Sequence, residues 1–103
     1  MLFLVHIDVS LPASVPQAEK DALRAKENET AIRYMKDGKL RRIWRIVGQT
    51  ANYGLWEAKT LEELHATIGG LPLYPYMKVV VTPLIAHPVT EAWTKEIGDL
   101  LPF

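Results

Sequence analysis

Residues 2–9 alternate: Phe3, Val5, Ile7 and Val9 fall on one side, Leu4, His6 and Asp8 on the other. A period of two predicts a strand with one face in the core and one more polar. Pro12 and Pro16 mark the connection that follows. From about Pro16 to Lys36 the period lengthens. Leu23, Glu27, Ala31 and Tyr34 are spaced by four, four and three, which predicts a helix presenting them as one stripe. Glu19 and Asp21 near its start and Lys36 near its end suit the helix dipole, and Asp37-Gly38 closes it. Leu40, Trp44 and Ile46 then alternate with Arg41, Arg45 and Val47, a second strand, although Ile43 intrudes on the arginine side. Gly48 to Asn52 supply a turn, and Tyr53 to Trp56 begin the return strand.

Thr60 followed three residues later by Glu63 is a capping box. The short helix it opens should turn Leu61, Leu64, His65 and Ile68 inward and stop at Gly69-Gly70. Pro72 and Pro75 stiffen the approach to a last strand, Tyr76 to Thr82. The order βαββαβ predicts an α+β, ferredoxin-like domain: a four-stranded antiparallel sheet with two helices on one face. No linker, low-complexity run or repeated sequence divides it. The tail is extended over Ala86 to Pro88. From Thr90, a plausible cap, to Leu101 it has helical spacing, with Ala92, Trp93, Ile97 and Leu100 on one stripe. With Leu101 and Phe103 added, such a tail needs a docking surface, either the open sheet face or a neighbouring subunit.

A chain of 103 residues suits one domain, and 49% hydrophobic residues can fill its core. Twelve basic and twelve acidic side chains cancel, so no net field recommends nucleic acid or an anionic membrane as partner. Without cysteine there are no disulfides, thiolate nucleophiles or sulfur-ligated metals. The first ten residues lack a basic start and carry His6 and Asp8, unlike a signal peptide. No apolar run approaches the roughly 18 residues of a membrane span. A soluble, cytoplasmic domain is the expectation.

Glu27 interrupts a helical face that should lie against the sheet. Desolvation there favours a neutral carboxyl and suits proton transfer near neutral pH; the plainer alternative is an ion pair with Arg41 or Arg45. The two arginines are expected on one strand face, either as a fork for a substrate carboxylate or as a solvent- or subunit-facing surface. His6, His65 and His87 are too scattered to form a metal motif. Ser10 and Ser14 lack a nucleophile-elbow context, and the glycines form no phosphate loop. The residues point to a cofactor-free pocket between helix and sheet with one buried acid.

Several strings carry a resemblance: MLFLV at the start, Glu27 and Glu29 in AKENET, RRIWRIVGQTANY, LHATIGGLPLYPYM, and His87-Pro88. Together they resemble the muconolactone isomerase family from Met1 to Pro88, leaving residues 89–103 as an extension. The resemblance implies a ferredoxin-like subunit of a ring-like homo-oligomer, a decamer in the family. It also implies a cofactor-independent step of aromatic catabolism, the 3-oxoadipate pathway. There the double bond of an unsaturated lactone bearing an acetate arm moves to give the enol-lactone. Glu27 matches the family's acidic position and becomes the expected base. Arg41 or Arg45 would hold the arm, and Asn52, Tyr53 and His65 are further pocket candidates, with Asn52 facing the lactone oxygens. Two departures stand out. Gln49-Thr50 replace the family's His-Tyr, and the tail is long and apolar where the family's is short and polar. A substituted or chlorinated lactone, or a non-catalytic role as a small-ligand binder, remains open on these residues.

Overall fold

A computed structural model describes residues 1–97. The chain runs β1 (Leu2–Val9), α1 (Gln17–Lys36), β2 (Leu40–Arg45), β3 (Ala51–Glu57), α2 (Leu61–Gly69), β4 (Met77–Leu84) and α3 (Pro88–Ile97). The sheet order is β2-β3-β1-β4, with every neighbouring pair antiparallel. This is the ferredoxin-like order, with β1 and β3 central and β2 and β4 at the edges. The α+β expectation holds.

The alternation in β1 does what period two dictates. Phe3, Val5 and Ile7 are buried, while Leu4 and His6 take the opposite face. Across the ladder Phe3 meets Trp56, Val5 meets Gly54 and Ile7 meets Asn52, so these β3 residues share the core face. Trp56, Phe3, Ile7, Leu40 and Val5 are the largest fully buried side chains, each contributing about 1.5–3 kcal/mol by the usual scale. Gly54 lies beneath the indole of Trp56: a Cβ there would stand 2.5 Å from Trp56 Nε1.

α1 supplies a thin apolar stripe. Only Thr30 and Tyr34 are buried on it, with Leu23, Glu27 and Ala31 partly so. Thr30 folds its hydroxyl back onto the Lys26 carbonyl, 2.9 Å away. Tyr34 anchors the C-terminal half: its ring meets Trp56 edge-on and its hydroxyl donates to the Thr67 carbonyl of α2 at 2.8 Å. The helix ends as read, with Gly38 in the left-handed region at φ +76°. The β2–β3 turn places Gly48 there too, at φ +77°.

Several details depart from the sequence reading. The turn is not Gly48 to Asn52: β3 already begins at Ala51, because Asn52 pairs with Arg45 across the ladder. An irregularity between Leu40 and Arg42 breaks the alternation of β2, so Leu40, Ile43 and Arg45 lie on the helix-covered face while Arg42 and Trp44 lie on the other. Arg41 and Arg45 therefore do not share a face, and Trp44 does not side with Leu40. In α2 only Leu64 and Ile68 turn inward; Leu61 is 56% exposed and His65 is exposed, because a nine-residue helix lying along the sheet has room for just one buried stripe. β4 runs on through Pro83 to Leu84, which an edge strand tolerates because one side of its backbone needs no donor. α3 begins at Pro88, earlier than Thr90: the His87 carbonyl accepts the Thr90 and Glu91 N–H groups, and His87 Nδ1 accepts from Val89 N–H at 3.1 Å. Its expected continuation to Leu101, with Leu100, Leu101 and Phe103, lies outside the described residues. Thr60 caps α2 as expected, Glu63 N–H donating to Thr60 Oγ1 at 3.1 Å, but the Glu63 carboxylate accepts from the Lys59 N–H at 3.2 Å in place of the Thr60 N–H.

Candidate active site

The thinness of α1 over its N-terminal half decides where the site is. Tyr34 fills the space near the helix C-terminus, but one and two turns earlier the sheet-facing positions are Ala31 and Glu27. Neither fills the gap, and a cavity of about 500 Å³ remains between α1, the sheet and the segment leading into β4. That lies within the usual size range of small-molecule sites, about 300–1,000 Å³. Ile7, Leu40, Trp56 and Leu71 give it an apolar floor. Its polar side chains include Arg24, Glu27 and Asn28 from α1, Arg45 at the end of β2, and Asn52 on β3.

Glu27 is partly buried, and its Oε1 accepts a hydrogen bond from the Leu73 N–H at 3.0 Å. Burial pushes its carboxyl above the ordinary value of 4.5, and the Leu73 hydrogen bond partly opposes this. Of the two alternatives for Glu27, the ion pair is not formed. Arg41 instead meets Glu57 at 2.9 Å in an exposed pair, and no other ion pair to Glu27 occurs among the described residues. Such a surface pair contributes about 0–1 kcal/mol. The acid is thus held in place by a backbone donor that leaves its second oxygen available.

The structure brings Glu27, Arg45 and Asn52 to one cavity. Arg45 and Asn52 are direct partners across the β2–β3 ladder, on the same face. Asn52 Oδ1 and Trp56 Nε1 are buried without hydrogen-bond partners among the described residues. An unmet buried polar atom costs about 1–3 kcal/mol, so Asn52 Oδ1 is well placed to gain from a hydrogen-bond donor. Arg41, Tyr53 and His65 lie elsewhere. The bulge turns Arg41 away to Glu57. Tyr53 faces the opposite side of the sheet, its ring centroid 5.1 Å from that of His6. His65 stands over Tyr74 beside a separate hollow near Val79 and Val81. Arg24, Asn28 and Trp56 were missed. Arg24 lies three residues before Glu27, the spacing that puts two helical residues on one side, and that signal was legible.

Comparison with known proteins identifies the family. The profile of the family described as muconolactone delta-isomerase matches residues 1–90. The chain belongs to the muconolactone delta-isomerase family. It is 44% identical over 88 residues to the muconolactone Delta-isomerase of Cupriavidus pinatubonensis, covering 85% of this chain and 96% of that one. The Pseudomonas aeruginosa muconolactone Delta-isomerase is 41% identical over 88 residues, covering 85% and 92%. A crystal structure of muconolactone isomerase superposes with a TM-score of 0.81 at 42% identity, covering 85% of this chain and 92% of that one. A 5-chloro-2-hydroxyhydroquinone dehydrochlorinase from Burkholderia phenoliruptrix, 17% identical with a TM-score of 0.59 over 84% of this chain and 96% of that one, shares the fold. The muconolactone delta-isomerase match stops short of most of α3, whose residues beyond 90 lie outside it.

Proposed function

We propose that this protein is a cofactor-independent isomerase that converts muconolactone to 3-oxoadipate enol-lactone in cytoplasmic aromatic catabolism. One observation carries the reading: in a chain of this family, the cavity between helix and sheet holds a single carboxyl group, raised by burial and paired with no cation among the described residues.

The chemistry asks for little more. The hydrogen on the ring carbon bearing the acetate arm is acidified through the alkene by the lactone carbonyl. Glu27 removes it, the electron pair moves through the ring, and a dienolate forms with its charge on the carbonyl oxygen. The same carboxylic acid then returns a proton to the carbon beside the carbonyl, and the double bond has moved with no net gain or loss of atoms. A carboxyl of raised pKa suits both steps, because it is a better base when ionised and is still readily re-formed as the acid. On this reading the Asn52 amide N–H donates to the lactone oxygens and Arg45 holds the arm's carboxylate, and the sharing of one cavity by both residues supports it. On this reading residues 1–88 form the catalytic domain and residues 89–103 an extension. The subunits assemble as a homo-oligomer, on the family pattern a decamer. Val80 and Tyr53, 52% and 43% exposed on the uncovered face of the sheet, support such assembly.

The test is turnover of muconolactone followed by loss of substrate and appearance of enol-lactone. Glu27→Gln keeps the shape and the Leu73 hydrogen bond but cannot shuttle a proton, so the rate should fall at least about a hundredfold. Near-normal turnover by this variant excludes Glu27 as the shuttle.

A further inference from the structure

Arg45 was expected in the site from its strand, whereas Arg24 was not. Both nevertheless line the same cavity, Arg24 from the helix wall and Arg45 from the sheet wall. Neither has an acidic partner among the described residues. This is notable for Arg24 in particular. Glu27 stands three residues further along the same helix, where side chains are neighbours, yet its carboxyl turns to the Leu73 N–H instead. Glu29 and Asp21 flank it in sequence and form no ion pair with it either. A cavity with two unpaired guanidinium groups and only one carboxyl group among its lining side chains carries a surplus of positive charge. Its ligand should bring the missing anion.

We infer that Arg24 and Arg45 grip a single ligand carboxylate from opposite walls, tying α1 to the edge strand β2 over the bound ring. The inference rests on the isomerase reading for the identity of the ligand, and it adds a second anchor to the arm. A carboxylate has enough lone pairs for both forks, and a planar guanidinium matches its geometry where an ammonium does not. With the carboxylate held at the exposed arginines, the ring is left to the rest of the same cavity, whose lining includes Trp56 and Glu27. Arg24 in this role positions substrate and takes no part in the proton transfer.

The experiment is a double-mutant cycle with Arg24→Met, Arg45→Met and the pair, assayed on muconolactone and on its methyl ester. Arg24 is exposed, so its replacement should leave folding intact, which thermal melting checks. Each single variant should raise KM for the acid about tenfold or more, with kcat changed much less and the ester barely affected. The pair should lose less than the product of the singles, because both groups act on one carboxylate. Arg24→Lys should recover only part of the loss. Unchanged KM in Arg24→Met, equal losses on acid and ester, or strict additivity each overturn the shared grip. Calorimetric titration with the saturated lactone bearing the same acetate arm separates this from the isomerase reading. Weaker binding to Arg24→Met supports the clamp even if turnover is absent. Equal binding by wild type and Arg24→Met overturns the clamp while leaving Glu27 untouched.

Discussion

At the scale of single residues, Glu27 has consequences beyond catalysis. Its carboxyl is raised by burial, so the folded state holds its proton to higher pH than the unfolded chain does. Stability then falls as pH rises from about 4.5 through the folded value, since the native state binds more protons over that window. Glutamine has no charge to desolvate and can keep the Leu73 hydrogen bond. Glu27→Gln should therefore melt at a temperature equal to or above wild type at neutral pH, with the advantage shrinking toward about pH 4. Melting curves at several pH values check this. A variant that is less stable at neutral pH than at acid pH, relative to wild type, contradicts a burial-raised carboxyl. A gain in stability on loss of activity is what a functional charge kept in a costly place predicts. Glu27 was readable from the sequence because a charge on an apolar stripe is an anomaly of pattern. Its actual partner was not, because Leu73 donates from the backbone, 46 residues away in the chain, and every residue except proline has that donor. Trp56 and Asn28 were missed for a related reason: a cavity is defined by what fails to fill it, and no residue type announces that.

At the scale of elements, the expected order of strands and helices emerged because each is signalled locally. β1 has period two, α1 ends at a glycine, and α2 opens on Thr60, whose side chain caps it. What failed was the face of β2. One extra residue at Arg41 exchanges the sides of everything after it, and strand periodicity has no way to show a bulge made from ordinary side chains. The consequence is functional. Arg45 reaches the cavity, and Arg41, four residues earlier, pairs with Glu57 in solvent. Arg41→Met should accordingly leave KM for muconolactone within about twofold of wild type and cost no more than about 1 kcal/mol of stability, the scale of an exposed ion pair. Steady-state kinetics beside Arg45→Met makes the comparison direct. A loss at Arg41 as large as that at Arg45 shows that the strand presents both arginines to substrate after all. The thin stripe of α1 is the other element-scale feature with functional weight. A helix with full apolar coverage would close the cavity, so the weak amphipathic pattern that makes α1 look unremarkable in the sequence is what opens the site.

At the scale of the molecule, α3 is the feature that the domain's own core does not account for. The radius of gyration is 15.8 Å, against about 13 Å for a compact domain of a hundred residues. Among the described residues, none of α3 joins the hydrophobic core. Val89 is 68% exposed and Trp93 50% exposed on it, and Ile85 on the way to it is 94% exposed. Covering the open half of one tryptophan buries on the order of 100 Å², or about 2–3 kcal/mol. Fixing a residue's backbone costs about 1–2 kcal/mol, so Trp93 alone does not offset ordering a ten-residue helix. Docking needs Val89 and Ile85 as well, and therefore a surface broad enough to meet all three. Within one subunit, α1 and α2 already cover one sheet face. The uncovered face and the edge strands are the surfaces through which a homo-oligomer would assemble. We expect α3 to pack across a subunit boundary, so that its burial and the assembly depend on each other. Ending the chain after Pro88 should then shift the protein toward smaller species in light scattering and lower its melting temperature, and the effect should grow as the protein is diluted. A truncated protein that keeps both its full assembly size and its melting temperature makes α3 dispensable to the architecture. A truncated protein that keeps its size but loses stability places α3 against its own subunit instead.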